Sequence, residues 1–410
     1  MVTISKPAGA PPRPPVAPAK YLDLDLSEEE RDVLELAHEV CRREIVPIRA
    51  ELDEHEAFPE AVFAKLREIG LFRAMFDVEH GGVGLRRFMQ VLINEILGEY
   101  CLGVATSFGS SAVLGPGPVY FGGTEEQKQR VLPRVASGEW ITAFAFTEPE
   151  AGSDAFNLRT TAVRKGSRWV LNGTKQWITN AGRADVYSVF ALTGSRSVDP
   201  RAAISCFLVE KGTPGLSFGK LERKLGVRCS HTRQLILEEV EVPEENLVGL
   251  RPNQGFVQAL WSLTRSRVSL AASAVGLAHG AYKEALKYAV HRQQFGKKII
   301  HHQALQHMLV DMLVKVESAR LLTYKAAHYV ATSHPDAPTW SAMAKYQAAE
   351  TAMQVATDAL QAHGGYGFSK DYPIEKMFRD AKILAIYEGT SQMMKNQIGG
   401  HLLKEAAKLR

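Results

Sequence analysis

The apolar residues of this 410-residue chain change period twice, and a segment that satisfies the helical period cannot also satisfy the strand period. From Leu26 to about Gly138 they recur at helical spacing, as in Val33, Leu34, Leu36, Ala37, Val40 and Cys41, behind a capping-box start at Ser27 and Glu30. Between Trp140 and about Leu250 short β-branched or aromatic runs take over, among them Trp169-Val170-Leu171, Tyr187-Ser188-Val189-Phe190 and Ile204 to Val209. Within this stretch Asn172-Gly173 reads as a hairpin turn. Beyond Phe256 the helical period returns in long segments near 256–290, 303–330 and 340–362, rich in Ala, Leu and Val and almost free of breakers. The pattern predicts an α+β chain of cooperating domains. They are a tail at 1–20, an N-terminal helical domain at 21–139, a middle antiparallel β domain at 140–250 and a C-terminal four-helix bundle at 251–410.

Charge and composition then exclude several classes. The net charge is +4, but Lys6, Arg13 and Lys20 lie in a tail without acids, so the remainder is nearly neutral and nucleic acid is not an expected partner. No stretch approaches the roughly 20 apolar residues of a membrane helix, so no bilayer span is expected. Cys41, Cys101, Cys206 and Cys229 are scattered without CxxC or Cys/His spacing, which disfavours zinc and suggests a reducing compartment. Pro7, Pro11, Pro12, Pro14, Pro15 and Pro18 give the tail neither a presequence helix nor a secretory apolar core. It reads as a disordered, polyproline-like segment, inert in preference to a ligand for an SH3-type domain, and a cytoplasmic location follows.

Five motifs carry possible chemistry, each with a plain structural alternative. In Tyr387-Glu388-Gly389-Thr390-Ser391-Gln392 a lone carboxylate sits on a glycine-flexed turn beside Ala385, Ile386 and Tyr387. Desolvation there would raise its pKa toward proton abstraction, whereas the plain reading is a helix cap at Thr390 or Ser391 with Glu388 near the positive end. Thr147 to Asp154 joins hydroxyls, a proline and a glycine in a rigid turn able to bond a heterocycle or a thioester; it also suits an ordinary turn. Trp177-Ile178-Thr179-Asn180 offers a flat aromatic wall or a buried sheet tryptophan. Arg292 to Gly296 offers a guanidinium for pyrophosphate or a dipole-compensating helix end. Gln361-Ala-His-Gly-Gly-Tyr-Gly367 lacks a preceding strand and reads as a glycine-rich C-cap, with His363 packed at the helix end in preference to binding metal.

Taken in order, these five motifs resemble the signature of the acyl-CoA dehydrogenase family from about Leu26 to Lys408, with Gly122 to Lys128 and Lys224 to Arg228 joining the match. The resemblance implies FAD between the middle and C-terminal domains of a homotetramer, a dimer of dimers in which a neighbouring subunit completes the site. It implies that Phe144, Phe146, Thr147, Ser153, Trp177 and Thr179 line the flavin. Arg292, Phe295, Gln303, Gln361, Gly364 and Gly365 would hold the pyrophosphate and adenosine part, with Thr390 and Gln392 closing over it. Ser153, Thr264, Arg267 and Gly389 would face the substrate, and no metal is implied.

Glu388 then matches the base that takes the α-proton of a saturated acyl-CoA thioester while the β-hydride goes to flavin N5, giving a trans-2-enoyl product. The Glu388 backbone N–H and a flavin ribityl hydroxyl would stabilise the developing enolate. Relatives that place the base elsewhere use a helix where this chain has Trp261 to Arg267, which contains no acid. Thr264 departs from the Asp or Glu that many members carry there, which leaves the carrier open between free coenzyme A and an acyl-carrier protein. Val104 disfavours a dicarboxylic substrate, and Gly109, Ser110 and Ser111 would lie at the pocket floor or pack against helices. Electron-transfer flavoprotein is the implied acceptor. An oxidase of the same superfamily, or a non-catalytic flavoprotein or DNA-associated member, is disfavoured, for want of an extra C-terminal domain, a lost base or a basic extension.

Overall fold

The computed structural model describes residues 25–194 and 203–409, so the expectation for the tail at 1–20 lies outside the described residues. The first domain comprises α1 (Glu28–Val40), α2 (Arg49–Glu54), α3 (Glu60–Glu68), α4 (Met89–Tyr100), α5 (Leu102–Gly109), α6 (Gly117–Gly122) and α7 (Glu125–Ala136). Two of these helices start at full capping boxes, Ser27 with Glu30 and Thr124 with Gln127.

The middle domain is a sheet of seven strands among the described residues: β1 (Thr142–Ala145), β2 (Thr161–Lys165), β3 (Arg168–Thr179), β4 (Val186–Leu192), β5 (Ile204–Glu210), β6 (Leu216–Phe218) and β7 (Thr232–Pro243). Most neighbours are antiparallel, but β1 runs parallel to β4 from Thr142↔Val186 to Ala145↔Val189, so the sheet is mixed where alternation had suggested purely antiparallel pairing. Periodicity reports which face a residue occupies and is silent on strand direction.

Asn172-Gly173 does not turn the chain. The β2–β3 turn lies at Gly166-Ser167, and β3 runs straight through Asn172-Gly173 with a register shift there. Gly173 is required by close approach, since a Cβ at that position would stand 2.5 Å from Thr160 Oγ1. Asn172 pins the neighbouring strand instead, with its Oδ1 accepting from Glu239 N at 2.8 Å.

The C-terminal domain packs α8 (Gly255–His291), α9 (Gln303–Ala331), α10 (Ala337–His363) and α11 (Ile374–Leu384) into the expected bundle, and α12 (Ser391–Lys408) lies along α10. The short strands β8 (Gln293–Gln294) and β9 (Lys297–Lys298) form a hairpin between α8 and α9. Two apolar cores result: the first seven helices and the sheet share one, and the bundle encloses the other. They are joined where α4 and α8 cross in backbone contact, because Gly98 abuts Ser273 O and Gly276 abuts Glu95 O. All four cysteines are buried, and none of them is in a disulfide. Among the described residues no helix is long and apolar enough to cross a membrane.

Candidate active site

After α11 the chain turns through Glu388 (φ 52°) and Gly389 (φ 102°), a left-handed pair that glycine adopts freely and glutamate does not. Strain of this kind, of order 1–3 kcal/mol, persists only where surrounding contacts impose it. Here three elements impose it. From α8, Arg267 Nε donates to Glu388 O at 3.0 Å and Ser266 Oγ donates to Glu388 Oε2 at 2.7 Å. From α10, Lys345 Nζ donates to Gly389 O at 2.5 Å. On the far side Thr390 caps α12, its hydroxyl accepting from Met393 N at 3.2 Å, and Arg267 Nη1 reaches Gln397 Oε1 at 3.0 Å.

Both cations therefore bond backbone carbonyls and leave the carboxyl to Ser266. The Glu388 residue is partly open at its surface while its carboxyl is desolvated. Burial pushes that carboxyl above the ordinary glutamate value, opposed by the Ser266 bond and by the charges of Arg267 and Lys345. Among the described residues the Glu388 N–H has no acceptor, so an open donor and a desolvated carboxyl share one residue. Thr390 thus fulfils the plain capping alternative, but Glu388 does not sit at the helix end as mere dipole compensation.

A second group gathers at one end of the bundle. The Arg292 guanidinium lies 5.2 Å from the Tyr366 ring centroid, joining the end of α8 to the glycine-rich end of α10. Phe295 packs edge-on against His302, next to Gln303 at the start of α9, yet remains 92% exposed. Gln361, Gly364 and Gly365 are exposed at the same end, and nothing lies within 4 Å of a Cβ placed on either glycine. His363 is a packed residue, stacked on Tyr288 with Nδ1 at 2.8 Å from Ala359 O.

The third group gathers where the turn after β1 meets the C-terminal end of β3. Phe144 and Phe146 stack at 6.0 Å, and Thr147 O accepts from Gln176 N at 2.8 Å, which brings the turn beside Trp177. Trp177 has φ 60° and is 59% exposed, so it is not the buried sheet tryptophan. Thr179 is half-buried and Ser153 is exposed. This group is tied toward Glu388 through α5. Asn180 Nδ2 donates to Ser107 O at 3.0 Å, and Thr106 Oγ1 meets the Tyr387 hydroxyl at 3.4 Å.

Of the remaining residues, Gly389 and Arg267 join Glu388 directly, and Gln392 is exposed on the first turn of α12. Thr264 is buried and gives its hydroxyl to Leu260 O at 2.8 Å. It borders a cavity of about 50 Å³ with Tyr120, Trp261 and Arg265, on a different face of α8 from Ser266. Ser266 and Lys345 were not singled out from sequence. The signal for Lys345 was present, a lone charge on the buried stripe of Ser341, Lys345, Ala348 and Ala352. Nothing about Ser266 marked it before its partner was in place.

Exposed flat aromatics at Trp177 and Phe295, open glycines at the end of α10 and the Arg292 guanidinium laid over Tyr366 suit a long flat ligand with a charged linker, and FAD fits that donor set. The chain matches the acyl-CoA dehydrogenase N-terminal domain over residues 27–139, the middle domain over 143–240 and the C-terminal domain over 253–403. It is 41% identical over 383 residues to an acyl-CoA dehydrogenase described as short-chain specific from Clostridium acetobutylicum, covering 93% of this chain and all of that one. Its fold superposes with a TM-score of 0.90 on butyryl-CoA dehydrogenase from Megasphaera elsdenii, 37% identical and covering 93% and 100% of the two chains. It also superposes, at 0.87, on an acyl-CoA dehydrogenase from Bacillus anthracis complexed with FAD, 34% identical over 94% of this chain and 68% of that one. With three consecutive domain matches and full-length relatives above 30% identity, the chain belongs to the acyl-CoA dehydrogenase family.

Proposed function

We propose that this protein removes the α- and β-hydrogens of a saturated acyl-CoA, with Glu388 taking the α-proton. The observation that carries the reading is the Glu388 turn: a desolvated carboxyl held by Ser266 beside its own backbone N–H, which has no acceptor among the described residues. FAD supplies the hydride acceptor when bound, with Trp177, Thr179, Phe144, Phe146, Thr147 and Ser153 along the flavin and Arg292, Phe295, Gln303, Gln361, Gly364 and Gly365 along its pyrophosphate and adenosine.

The residues of the chain do the rest. Ser266 orients one carboxyl oxygen, Arg267 and Lys345 hold the turn, and desolvation gives Glu388 the proton affinity that an enolising step demands. The Glu388 N–H is placed to bond a thioester oxygen more strongly as negative charge develops on it. Thr390 and Gln392 stand at the start of α12 beside this turn, and the apolar exposed stripe of Val310, Val314 and Leu321 on α9 supports a homotetramer. Four buried cysteines outside any disulfide accord with a cytoplasmic home, and electron-transfer flavoprotein is the proposed acceptor.

Anaerobic titration of the FAD-loaded protein with an acyl-CoA series, beginning at butyryl-CoA, tests the reading. The flavin should bleach, and Glu388→Gln should keep the yellow colour and lose the bleaching. Undiminished bleaching in that variant refutes the assignment. Bleaching by acyl groups on a carrier protein, and not by acyl-CoA, would favour the carrier-protein alternative that Thr264 leaves open.

A further inference from the structure

A lysine with no exposed surface lies on α10 within a run of alanines, and its ammonium ends 2.5 Å from the carbonyl of Gly389. Burying an ammonium is costly, and one carbonyl does not offset the loss of its hydration shell. The surroundings show which charge helps. The groups facing the Glu388 turn are Ser266 and Arg267 from α8, Lys345 and Glu350 from α10, Gln397 from α12, and Tyr387 on the turn itself. Glu350 already accepts from Ser391 Oγ at 2.7 Å, and Gln397 is neutral. Burial pulls Lys345 down to about 8, and Glu388 is the foremost group drawing it back up.

We propose that Lys345 is a positioning residue for the reaction. Its ammonium clamps the Gly389 carbonyl, so that the left-handed turn keeps its shape, and its charge adds to that of Arg267 in favouring the ionised Glu388 carboxylate until substrate arrives. The inference rests on Glu388 being the base. It also gives the proton transfer a direction of return. Once Glu388 is neutral, Lys345 loses its counter-charge, and loss of the proton from Glu388 restores the pair.

Two variants separate charge from tether. Lys345→Met removes both, whereas Lys345→Gln keeps an N–H donor for Gly389 and removes only the charge. In FAD-loaded protein both should move the acid limb of the pH profile for flavin bleaching up by about one pH unit, so that bleaching on that limb slows about tenfold at fixed pH. The protonated-carboxyl infrared band that disappears in Glu388→Gln should move by the same amount. Lys345→Gln should also unfold at a higher temperature than Lys345→Met. A limb and band that stay in place in Lys345→Gln overturn the proposal whatever Lys345→Met does. Bleaching retained in Glu388→Gln overturns the base and this inference together, and bleaching lost there with unmoved Lys345 profiles overturns the inference alone.

Discussion

Replacing Lys175 by methionine should destabilise the middle domain in a manner that depends on pH, because it strips a buried carboxylate of its counter-ion. Lys175 Nζ lies 2.7 Å from Glu148 Oε1, with 0% and 4% of the two side chains exposed. Glu148 also accepts from Arg159 N at 2.6 Å and Thr160 N at 3.1 Å, so it fastens the Thr147 turn to the start of β2. Burial pushes its carboxyl up, but Lys175 and the amides outweigh burial and hold it below 4.5. Burial likewise pulls Lys175 down to about 8 against the attraction of Glu148.

In the variant the orphaned carboxyl escapes by taking a proton. That sets a ceiling on the loss, about 3 kcal/mol at pH 7 and about 1 kcal/mol at pH 5.5, as protonation becomes easier. The sign is fixed by linkage. In the variant Glu148 is raised in the folded state, so stability is greatest at low pH and falls as pH rises through that folded value. In the parent Glu148 is depressed, and its contribution holds down to the ordinary carboxyl range. Urea unfolding at pH 5.5 and 7, followed by circular dichroism, should show the gap between the two proteins narrowing at the lower pH. Glu148→Gln added to Lys175→Met should recover much of the loss at pH 7. A gap of equal size at both pH values, or a double variant no better than the single one, would refute the reasoning.

Ser266→Ala should raise the acid limb of flavin bleaching by about one pH unit, since a hydrogen bond to a carboxylate is worth about 1.5–3 kcal/mol and part of it is recovered from water; stopped-flow reduction across pH measures it. In the parent protein that limb should already lie above the ordinary glutamate value of 4.5, because burial raises Glu388 and, in the proposed reaction, only its ionised form accepts the α-proton. Gly276→Ala should separate α4 from α8, as its Cβ would stand 1.9 Å from Glu95 O, and cost about 1–3 kcal/mol in thermal unfolding.

The parts of this protein that could be read in its residue order are those whose cause is local. Helical and strand periods announced the α, β, α order, Ser27 announced its capping box with Glu30, and the α8 and α10 ends fell at His291 and His363 as their following residues implied, whereas the second box at Thr124 and Gln127 emerged only in the fold. Family resemblance named Glu388, Arg267 and Gly389, and the coordinates brought those three together. Strand direction, the straight passage of β3 through Asn172-Gly173, and the partners of the Glu388 carboxyl required the folded chain. Ser266 and Glu388 are 122 positions apart, and Lys345 reaches a carbonyl 44 positions away. No periodicity encodes such pairs, because desolvation and hydrogen bonding depend on distance in space, and only packing of α8 against α10 and α11 fixes that distance.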